Sequence, residues 1–227
     1  MDALTRERIV EAVIDLLDSQ GENGLTFRTL AARLETGHGA IQWHIATKNE
    51  LLQAAADDVI SRAVAGVTVV AGVTGVTGVA RGAEPRAAIR GIALAVFDAI
   101  DAHPWVGTEL SREPWQTAVL QIFEGVGGQL HALGVPEPAQ FDAATALLNF
   151  ILGLAGQYAA SARLIGHETD REAFLAGLAA RWSDLDPARY PFAHQVAPRL
   201  RDHDDREQFL AGVDLILAGM TAADGPA

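Results

Sequence analysis

The spacing of apolar residues limits the fold of this chain more than any other feature, because it is helical along nearly the whole length. From residue 85 onward, apolar residues recur at intervals of three and four within 89–100, 115–133, 141–158, 174–185 and 209–220. Residues at this spacing share one side of an α-helix. Helix breakers separate these stripes, and no segment shows the two-residue alternation of a half-buried strand. The pattern predicts an all-α fold.

The first fifty residues predict one longer helix followed by two short ones. The first helix runs from about 5 to 19, with Thr5 as its N-cap and glycines after it. Thr26 caps a second helix over 27–33, and a glycine-bearing turn leads to a third over about 38–44. A capping box formed by Thr47 and Glu50 then starts a fourth helix. Two short helices across a tight turn form a helix-turn-helix, whose second short helix enters the major groove of DNA.

The charge of the chain limits how it could bind DNA. Its formal net charge is −12, and the first 52 residues carry five basic and eight acidic side chains. Nonspecific affinity for DNA depends on cations that neutralise phosphates, so we expect weak nonspecific binding that relies on a few well-placed donors and on dimerisation. The total charge does not exclude DNA binding, because the field at the docking face matters more. A chain without cysteine or a secretory signal is expected in the cytoplasm.

The stretch 63–80 has an unusual composition, with four glycines, three threonines and no charge. A mobile connection between domains explains this composition better than a membrane span, because glycine and threonine dilute the apolar run. We therefore expect a helix-turn-helix domain over 1–50, a connecting helix and Gly/Val/Thr-rich linker over 51–84, and a helical domain for ligand binding and dimerisation over 85–227.

The run from Ile41 to Leu52, IQWHIATKNELL, resembles the signature of the tetracycline-repressor (TetR) family. The run Thr26–Ala31 is similar to the start of that family's first DNA-binding helix. The close match covers about residues 5–60, and the pair Trp43-His44 points to the branch of the tetracycline repressors themselves. The end of the chain, from Pro191 onward, also resembles the C-terminal domain of that branch.

The resemblance implies roles for individual residues. Arg28 would reach a base edge, where arginine suits guanine. Trp43, His44 and Lys48 occupy positions similar to phosphate-contacting ones. The whole set expected to bind DNA is Thr26, Arg28, Gly37, His38, Gly39, Ala40, Gln42, Trp43, His44 and Lys48. Each assignment has an alternative: Arg28 paired with a carboxylate, Trp43 in the core, His44 as a structural histidine, and Lys48 as a helix cap.

Three residues depart from the family's usual pattern. Gln42 stands where tyrosine is usual, Glu35 where a turn glycine is usual, and Thr36 where an aliphatic residue packs. We therefore expect an operator that differs from the family's best-known sites.

Two broad apolar helices in the C-terminal half indicate a further interface. The stretch 143–162 and the last helix carry small residues at close spacing and are apolar on nearly all sides, so they must be buried on all sides. A homodimer contact explains this burial, and one thick monomer core is the alternative. A two-fold dimer predicts a palindromic operator.

Aromatic and polar residues on the inner stripes are the candidates for a small-molecule site. Apolar walls with a few polar groups are typical of such sites and equally of a core. The candidates are Phe97, His103, Trp105, Trp115, Phe123, Gln157, Tyr158 and Trp182. His103 resembles in location a histidine that helps bind a metal-chelated drug in tetracycline repressors. The other histidines lack metal-ligand spacing, so we expect no metal and no cofactor.

The helical patterns and the resemblance to the TetR family together predict a ligand-responsive DNA-binding regulator, which we expect to be a repressor. It would bind a palindromic operator as a homodimer and be released by a small apolar or aromatic effector. The chain lacks the glycine loops, nucleophile elbow and His-Glu-x-x-His motif typical of several enzyme classes, so we expect no catalysis. The alternative is a small-molecule-binding helical dimer with little or no sequence-specific DNA binding.

Overall fold

The structure, a computed structural model, describes residues 4–70, 84–112, 116–165 and 171–222. Side chains are described for all of these except 68–70, 155, 158–165, 221 and 222. Every regular element in these ranges is helical, and none of the described residues lies in a strand. The all-α prediction is confirmed. Within the same ranges, no helix combines the length and apolarity needed to cross a lipid bilayer.

Three helices form the N-terminal unit: α1 (Arg6–Gly24), α2 (Phe27–Arg33) and α3 (His38–His44). The Thr5 hydroxyl caps α1 by accepting a hydrogen bond from the Arg8 backbone N–H. Gly21 interrupts the helical geometry of α1 with a φ of 66°, which only glycine adopts at no steric cost. The predicted bounds of α2 and α3 are confirmed. These helices and the start of α4 enclose a first core, which includes Ile9, Leu16, Leu25, Leu30, Ile41, Leu51 and Leu52.

Helix α4 (Lys48–Val70) connects the two halves of the chain. It begins with the predicted hydrogen bond, in which the Glu50 backbone N–H donates to Thr47 Oγ1 at 3.2 Å. The Glu50 carboxylate in turn accepts from the Ala46 backbone N–H. The stretch 63–70 was expected to belong to the mobile connection but continues α4, because Val64 and Val67 pack against the second core. The rest of that stretch lies outside the described residues.

In the part of the chain that the structure describes, seven further α-helices and a short 3-10 helix form the C-terminal unit. They are α5 (Pro85–Ala102), α6 (Pro104–Arg112), α7 (Thr117–Ala132), α8 (Glu137–Ile165), α9 (Arg171–Ser183), α10 (Pro191–Val196), the 3-10 helix (Ala197–Leu200) and α11 (Asp205–Ala222). The second core lies between α5, α6, α7, α8, α11 and the later part of α4. Its fully buried side chains include Ile60, Ile89, Ile92, Leu110, Ile122, Leu130 and Phe209.

Two of the predicted stripes differ from the observed burial. In α9, Leu175 and Ala179 are buried, whereas Phe174, Leu178 and Trp182 of the predicted stripe are only half-buried. Both sets repeat every three or four residues, so spacing alone could not choose between them. Contacts of α9 with α10 and the 3-10 helix decide the choice. In α8, Phe141 begins the predicted stripe but is exposed.

Three phenylalanines hold α5, α8 and α11 together. The Phe209 ring on α11 lies between Phe97 of α5 and Phe150 of α8, with centroid distances of 5.1 and 5.7 Å. Gly212, one turn further along α11, lets the Phe150 ring approach its backbone, since a Cβ there would overlap the ring. Close packing of this kind fixes the angle at which two helices cross.

Candidate nucleic-acid interface

Helix α3 has the register that a major-groove reading helix requires. Ile41 and Ile45 point into the first core and are buried. The other side of α3 faces solvent along its whole length and carries His38, Gly39, Ala40, Gln42, Trp43 and His44. Trp43 is 88% exposed, so the alternative that it is a core residue is wrong. The division into inward isoleucines and outward reading residues agrees with the sequence prediction.

Helix α2 presents an arginine next to this surface. Arg28 is exposed and makes no ion pair with any described residue, unlike Arg33, whose guanidinium contacts the Asp15 carboxylate at 2.5 Å. The alternative of an Arg28–carboxylate pair therefore has no support in the described part of the chain. A guanidinium that is not already engaged keeps its donors available for a base edge or a phosphate.

The starts of α2 and α3 are held in fixed positions. Thr26 Oγ1 accepts a hydrogen bond from the Thr29 backbone N–H, and Thr29 Oγ1 accepts one from the Thr26 backbone N–H. This reciprocal capping box closes the first turn of α2. The next residue, Phe27, contacts the His38 ring edge-on with centroids 5.5 Å apart. The first outward residue of α3 is thus oriented by an aromatic contact with the helix before it.

The turn between α2 and α3 shows why glycine is usual at the position of Glu35. After α2, the Thr36 backbone N–H donates to the Ala31 carbonyl and the Glu35 N–H to the Ala32 carbonyl. These two bonds define a Schellman ending, which requires a left-handed residue at the position of Glu35. Glu35 has a φ of 50° and is the one non-glycine residue with positive φ in the described ranges. The turn therefore has the geometry for which glycine is suited, and a glutamate occupies it under strain.

The residues expected to contact phosphates lie in different environments. Trp43 and His44 are exposed at the end of α3, and Gly37 is exposed just before it. Lys48 is half-buried, and its Nζ donates a hydrogen bond to the Glu22 carbonyl oxygen at 2.8 Å. The lysine is therefore attached to the end of α1 and is not merely a solvated residue in the first turn of α4.

The candidate ligand residues are spread over several parts of the C-terminal unit. Phe97 lies against Phe209 in the second core, and Phe123 contacts the exposed Phe141 edge-on. Gln157 is exposed on α8 and Trp182 is half-buried on α9. Trp115 and the side chain of Tyr158 lie outside the described residues. The ring contacts of Phe97 and Phe123 do not bring these two residues together, and the ligand site stays a prediction.

His103 and Trp105 lie instead where the two units meet. His103 Nδ1 and Trp105 Nε1 both hydrogen-bond to the Asp18 carboxylate on α1, at 2.8 and 2.7 Å. At the other end of α6, Arg112 contacts the Glu22 carboxylate at 2.5 Å. We call these two sets of bonds the α1–α6 contact. Sequence reasoning missed it; the only signal was that Asp18 and Glu22 are one helical turn apart on α1.

Arg112 on α6 and Asp57 on α4 have shifted pKa values. The hydrogen bond to Glu22, followed by attraction to Glu22 and Glu109, raises the pKa of Arg112. Burial raises the pKa of Asp57 on α4, while a 2.7 Å hydrogen bond from the Ala118 backbone N–H opposes that rise. Because Ala118 lies in the first turn of α7, the Asp57 carboxylate caps that helix from a neighbouring one. Among the described residues, no group of three or more acidic or histidine side chains could hold a metal ion.

The outer sides of α8 and α11 leave small and apolar residues exposed. Leu215 is 74% exposed. Exposed around the same helical faces are Ala146, Gly153, Ala211, Ala218 and Gly219. The alternative in which a thick monomer core buries all sides of these helices does not fit this exposure. A second copy of the chain would cover such a surface.

Comparison with known proteins supports the class of protein that this architecture defines: a helical transcriptional regulator with an N-terminal helix-turn-helix. A family profile described as "Tetracyclin repressor-like, C-terminal domain" matches residues 82–223. The chain belongs to the TetR family of transcriptional regulators, as its signature indicated.

Three relatives illustrate the extent of the similarity. The solved structure of SCO7222, a TetR regulator from Streptomyces coelicolor, is 48% identical with a TM-score of 0.83 and covers 97% of this chain and 99% of its own. An HTH-type transcriptional regulator from Saccharopolyspora erythraea is 27% identical over 98% of this chain and 86% of its own length. The structure of ActR from S. coelicolor in complex with actinorhodin is 21% identical, with a TM-score of 0.76 and 99% coverage of both chains. At that identity, ActR shows a shared fold.

Proposed function

We propose that the chain is a repressor that binds a palindromic operator as a homodimer and dissociates when a small molecule binds its C-terminal domain. The observation that carries this proposal is the exposed side of α3, where Trp43, Gln42 and His38 face solvent beside an Arg28 that is not paired with a described carboxylate. In this proposal, His38, Gly39, Ala40, Gln42 and Arg28 read bases, while Thr26, Gly37, Trp43, His44 and Lys48 position the phosphate backbone.

Dimerisation compensates for the small number of cations on the helix-turn-helix domain of each subunit. In a two-fold dimer formed through α8 and α11, the two copies of α3 would have to lie about 34–36 Å apart, or a multiple of that distance, to reach half-sites separated by whole turns of DNA. When two weakly binding helix-turn-helix domains are joined in one dimer, binding of the first raises the effective concentration of the second at its own half-site. The proposed site of action is the cytoplasm, where the DNA is.

We propose an apolar or aromatic effector for the C-terminal domain. The supporting observations are the aromatic side chains Phe97 and Phe123 in the C-terminal unit and the structure of ActR, a protein of the same fold, in complex with actinorhodin. The domain limits of 1–50, 51–84 and 85–227 and the eight ligand residues are part of this proposal. Crystals grown with a copurified molecule would identify the effector and the residues around it.

The experiment that tests the DNA-binding proposal is a titration with fragments of the protein's own promoter region and with random DNA at several salt concentrations. A preferred fragment that binds as one dimer per palindrome supports the proposal. Equal affinity for all sequences at low salt would favour the alternative, a helical dimer that binds small molecules without reading DNA. That alternative draws support from the acidic charge of the first 52 residues. Unchanged operator affinity with a confirmed effector bound would contradict the release mechanism.

A further inference from the structure

Lys48 is the single lysine of the chain, and its position depends on α1. Its Nζ donates to the backbone carbonyl of Glu22, 2.8 Å away and 26 residues earlier in the sequence. An ammonium group has three N–H donors, so two remain for other acceptors such as a phosphate. The hydrogen bond to the Glu22 carbonyl fixes the direction of one N–H group and thereby the directions of the other two. These directions therefore depend on where the Glu22 backbone lies.

The side chain of Glu22 is engaged by the other half of the molecule. Its Oε2 contacts Arg112 Nη2 at 2.5 Å, and Arg112 Nη1 also donates to Glu109 Oε2 at 3.1 Å. The Glu109 side chain is only 3% exposed, and its carbonyl accepts a hydrogen bond from Gln116 Nε2. One end of the Arg112 guanidinium is therefore fixed inside the C-terminal unit, and the other end holds α1.

We propose that Glu22 is a positioning residue that links the end of α6 to the DNA-facing lysine, its carboxylate held by Arg112 and its carbonyl holding Lys48. This inference rests on the proposed function, in which Lys48 contacts a phosphate. Through this connection, a displacement of Arg112 changes the place from which the lysine donates. Since a hydrogen bond to a phosphate weakens sharply beyond about 3.2 Å, a shift of about 1 Å is enough to weaken it.

The ion pair itself is a poor candidate for a purely stabilising role. The side chains of Arg112 and Glu22 are 39% and 36% exposed, and pairs this exposed contribute little to folding stability in water. The effect of breaking the pair should therefore be seen at Lys48 and in DNA binding more than in the unfolding midpoint.

A first experiment needs no DNA. Incorporation of isotope-labelled lysine gives one lysine side-chain NMR signal, because Lys48 is the only lysine. We expect Arg112→Gln to shift and broaden that signal. Arg206→Gln is the matched control, because it removes an arginine from a similarly exposed ion pair with Asp98, between α11 and α5. A Lys48 signal that is unchanged in Arg112→Gln overturns the connection.

A second experiment measures affinity for the promoter fragment that wild-type protein prefers. We expect Lys48→Gln to weaken binding about tenfold and to make log K less steep in log salt by about one phosphate contact. Arg112→Gln should weaken binding about threefold, whereas Arg112→Lys should keep most of the wild-type affinity. The double variant that carries both Arg112→Gln and Lys48→Gln should bind no more weakly than Lys48→Gln alone. Losses that multiply independently overturn the role of Glu22 in positioning the lysine.

The two experiments separate this inference from the proposed function. If wild-type protein selects no DNA sequence but the Lys48 signal still responds to Arg112→Gln, the repressor proposal is wrong and the connection through Glu22 stands. If wild-type protein selects DNA and the double variant shows independent losses, the repressor proposal stands and this inference is wrong.

Discussion

Glu35 occupies the same position after α2 that Gly134 occupies after α7. Both residues have positive φ, 50° and 79°, and in both turns the next backbone N–H bonds back to the carbonyl five residues earlier, Thr36 to Ala31 and Val135 to Leu130. Within the described ranges, the Schellman ending after α7 thus has the preferred glycine and the one after α2 has a glutamate.

We expect Glu35→Gly to increase the free energy of unfolding by about 1 kcal/mol, because glycine relieves the left-handed strain. Urea denaturation measures this. Glu35→Gln is the control, since it removes the same charge but keeps a Cβ, and should give no such gain. Both variants should bind DNA more tightly by a similar factor, because both remove a negative charge next to the reading helix. Equal stability of the two variants would refute the strain explanation.

Asp57 predicts a pH-dependent stability. Burial raises its pKa above the ordinary value of 3.8, so its contribution to stability is complete below that value and is lost as pH rises through the raised pKa. Asp57→Asn keeps an acceptor for the Ala118 N–H without the charge. The stability of this variant relative to wild type should therefore increase with pH above about 4 and then level off. Urea denaturation at a series of pH values checks this, and a difference that does not vary with pH would contradict it.

We expect the substitution of tryptophan by phenylalanine to have different effects at Trp43 and Trp105, on DNA binding at the first and on folding stability at the second. Trp105→Phe removes the Nε1 hydrogen bond to Asp18 and should lower the free energy of unfolding by about 1–2 kcal/mol. Trp43→Phe should leave stability unchanged because the side chain is exposed, but it should weaken binding to the preferred DNA fragment. Urea denaturation and DNA titration of both variants decide this. A stability loss in Trp43→Phe would mean that the residue packs inside the protein.

Gly212 should tolerate no side chain. A Cβ there overlaps the Phe150 ring, which is stacked on Phe209, so we expect Gly212→Ala to lower the free energy of unfolding by about 1–3 kcal/mol. Gly177→Ala in α9 is the control, because nothing lies within 4 Å of its Cβ position. It should be neutral or slightly stabilising. Thermal melts of the two variants measure the difference, and equal midpoints would show that Phe150 moves aside freely.

Leu215 tests the proposed dimer. A carboxylate at this exposed position would be buried without a partner in a second copy, so Leu215→Glu should convert the dimer to a monomer in light scattering after gel filtration. Affinity for a palindromic fragment should fall with it, while affinity for a single half-site should not. Leu120→Glu, at an exposed position on α7, is a control because it makes the same exchange on another helix. A dimeric Leu215→Glu would place the interface elsewhere.

Local chemistry made the N-terminal unit predictable from its residues. Thr5, Thr26 and Thr47 each start a helix by a hydrogen bond to the backbone three residues later, and such bonds depend on neighbours in the sequence. The inward placement of Ile41 and Ile45 follows from helical periodicity in the same way. For this reason the bounds of α2 and α3 and the exposed side of α3 agree with the prediction.

Contacts between segments that are distant in the sequence could not be predicted from sequence patterns. Asp18 and Trp105, or Asp57 and Ala118, are separated by many residues and meet only because of how helices pack. The bonds of His103 and Trp105 to Asp18 are of the same kind, because residue types alone do not show that these side chains meet α1. The helical course of 63–70 was missed for a related reason, since contacts of Val64 and Val67 outweigh weak local propensity.

Helix α4 belongs to both cores, with Leu51 and Leu52 in the first and Val59 and Ile60 in the second. Unfolding either half therefore exposes apolar surface of a helix on which the other half depends. We expect the described units to melt in one transition rather than two. A fragment that ends at residue 50 would lack four residues of the first core, namely Leu51, Leu52, Ala54 and Ala55. We therefore expect the helix-turn-helix domain to fold only as part of the larger molecule.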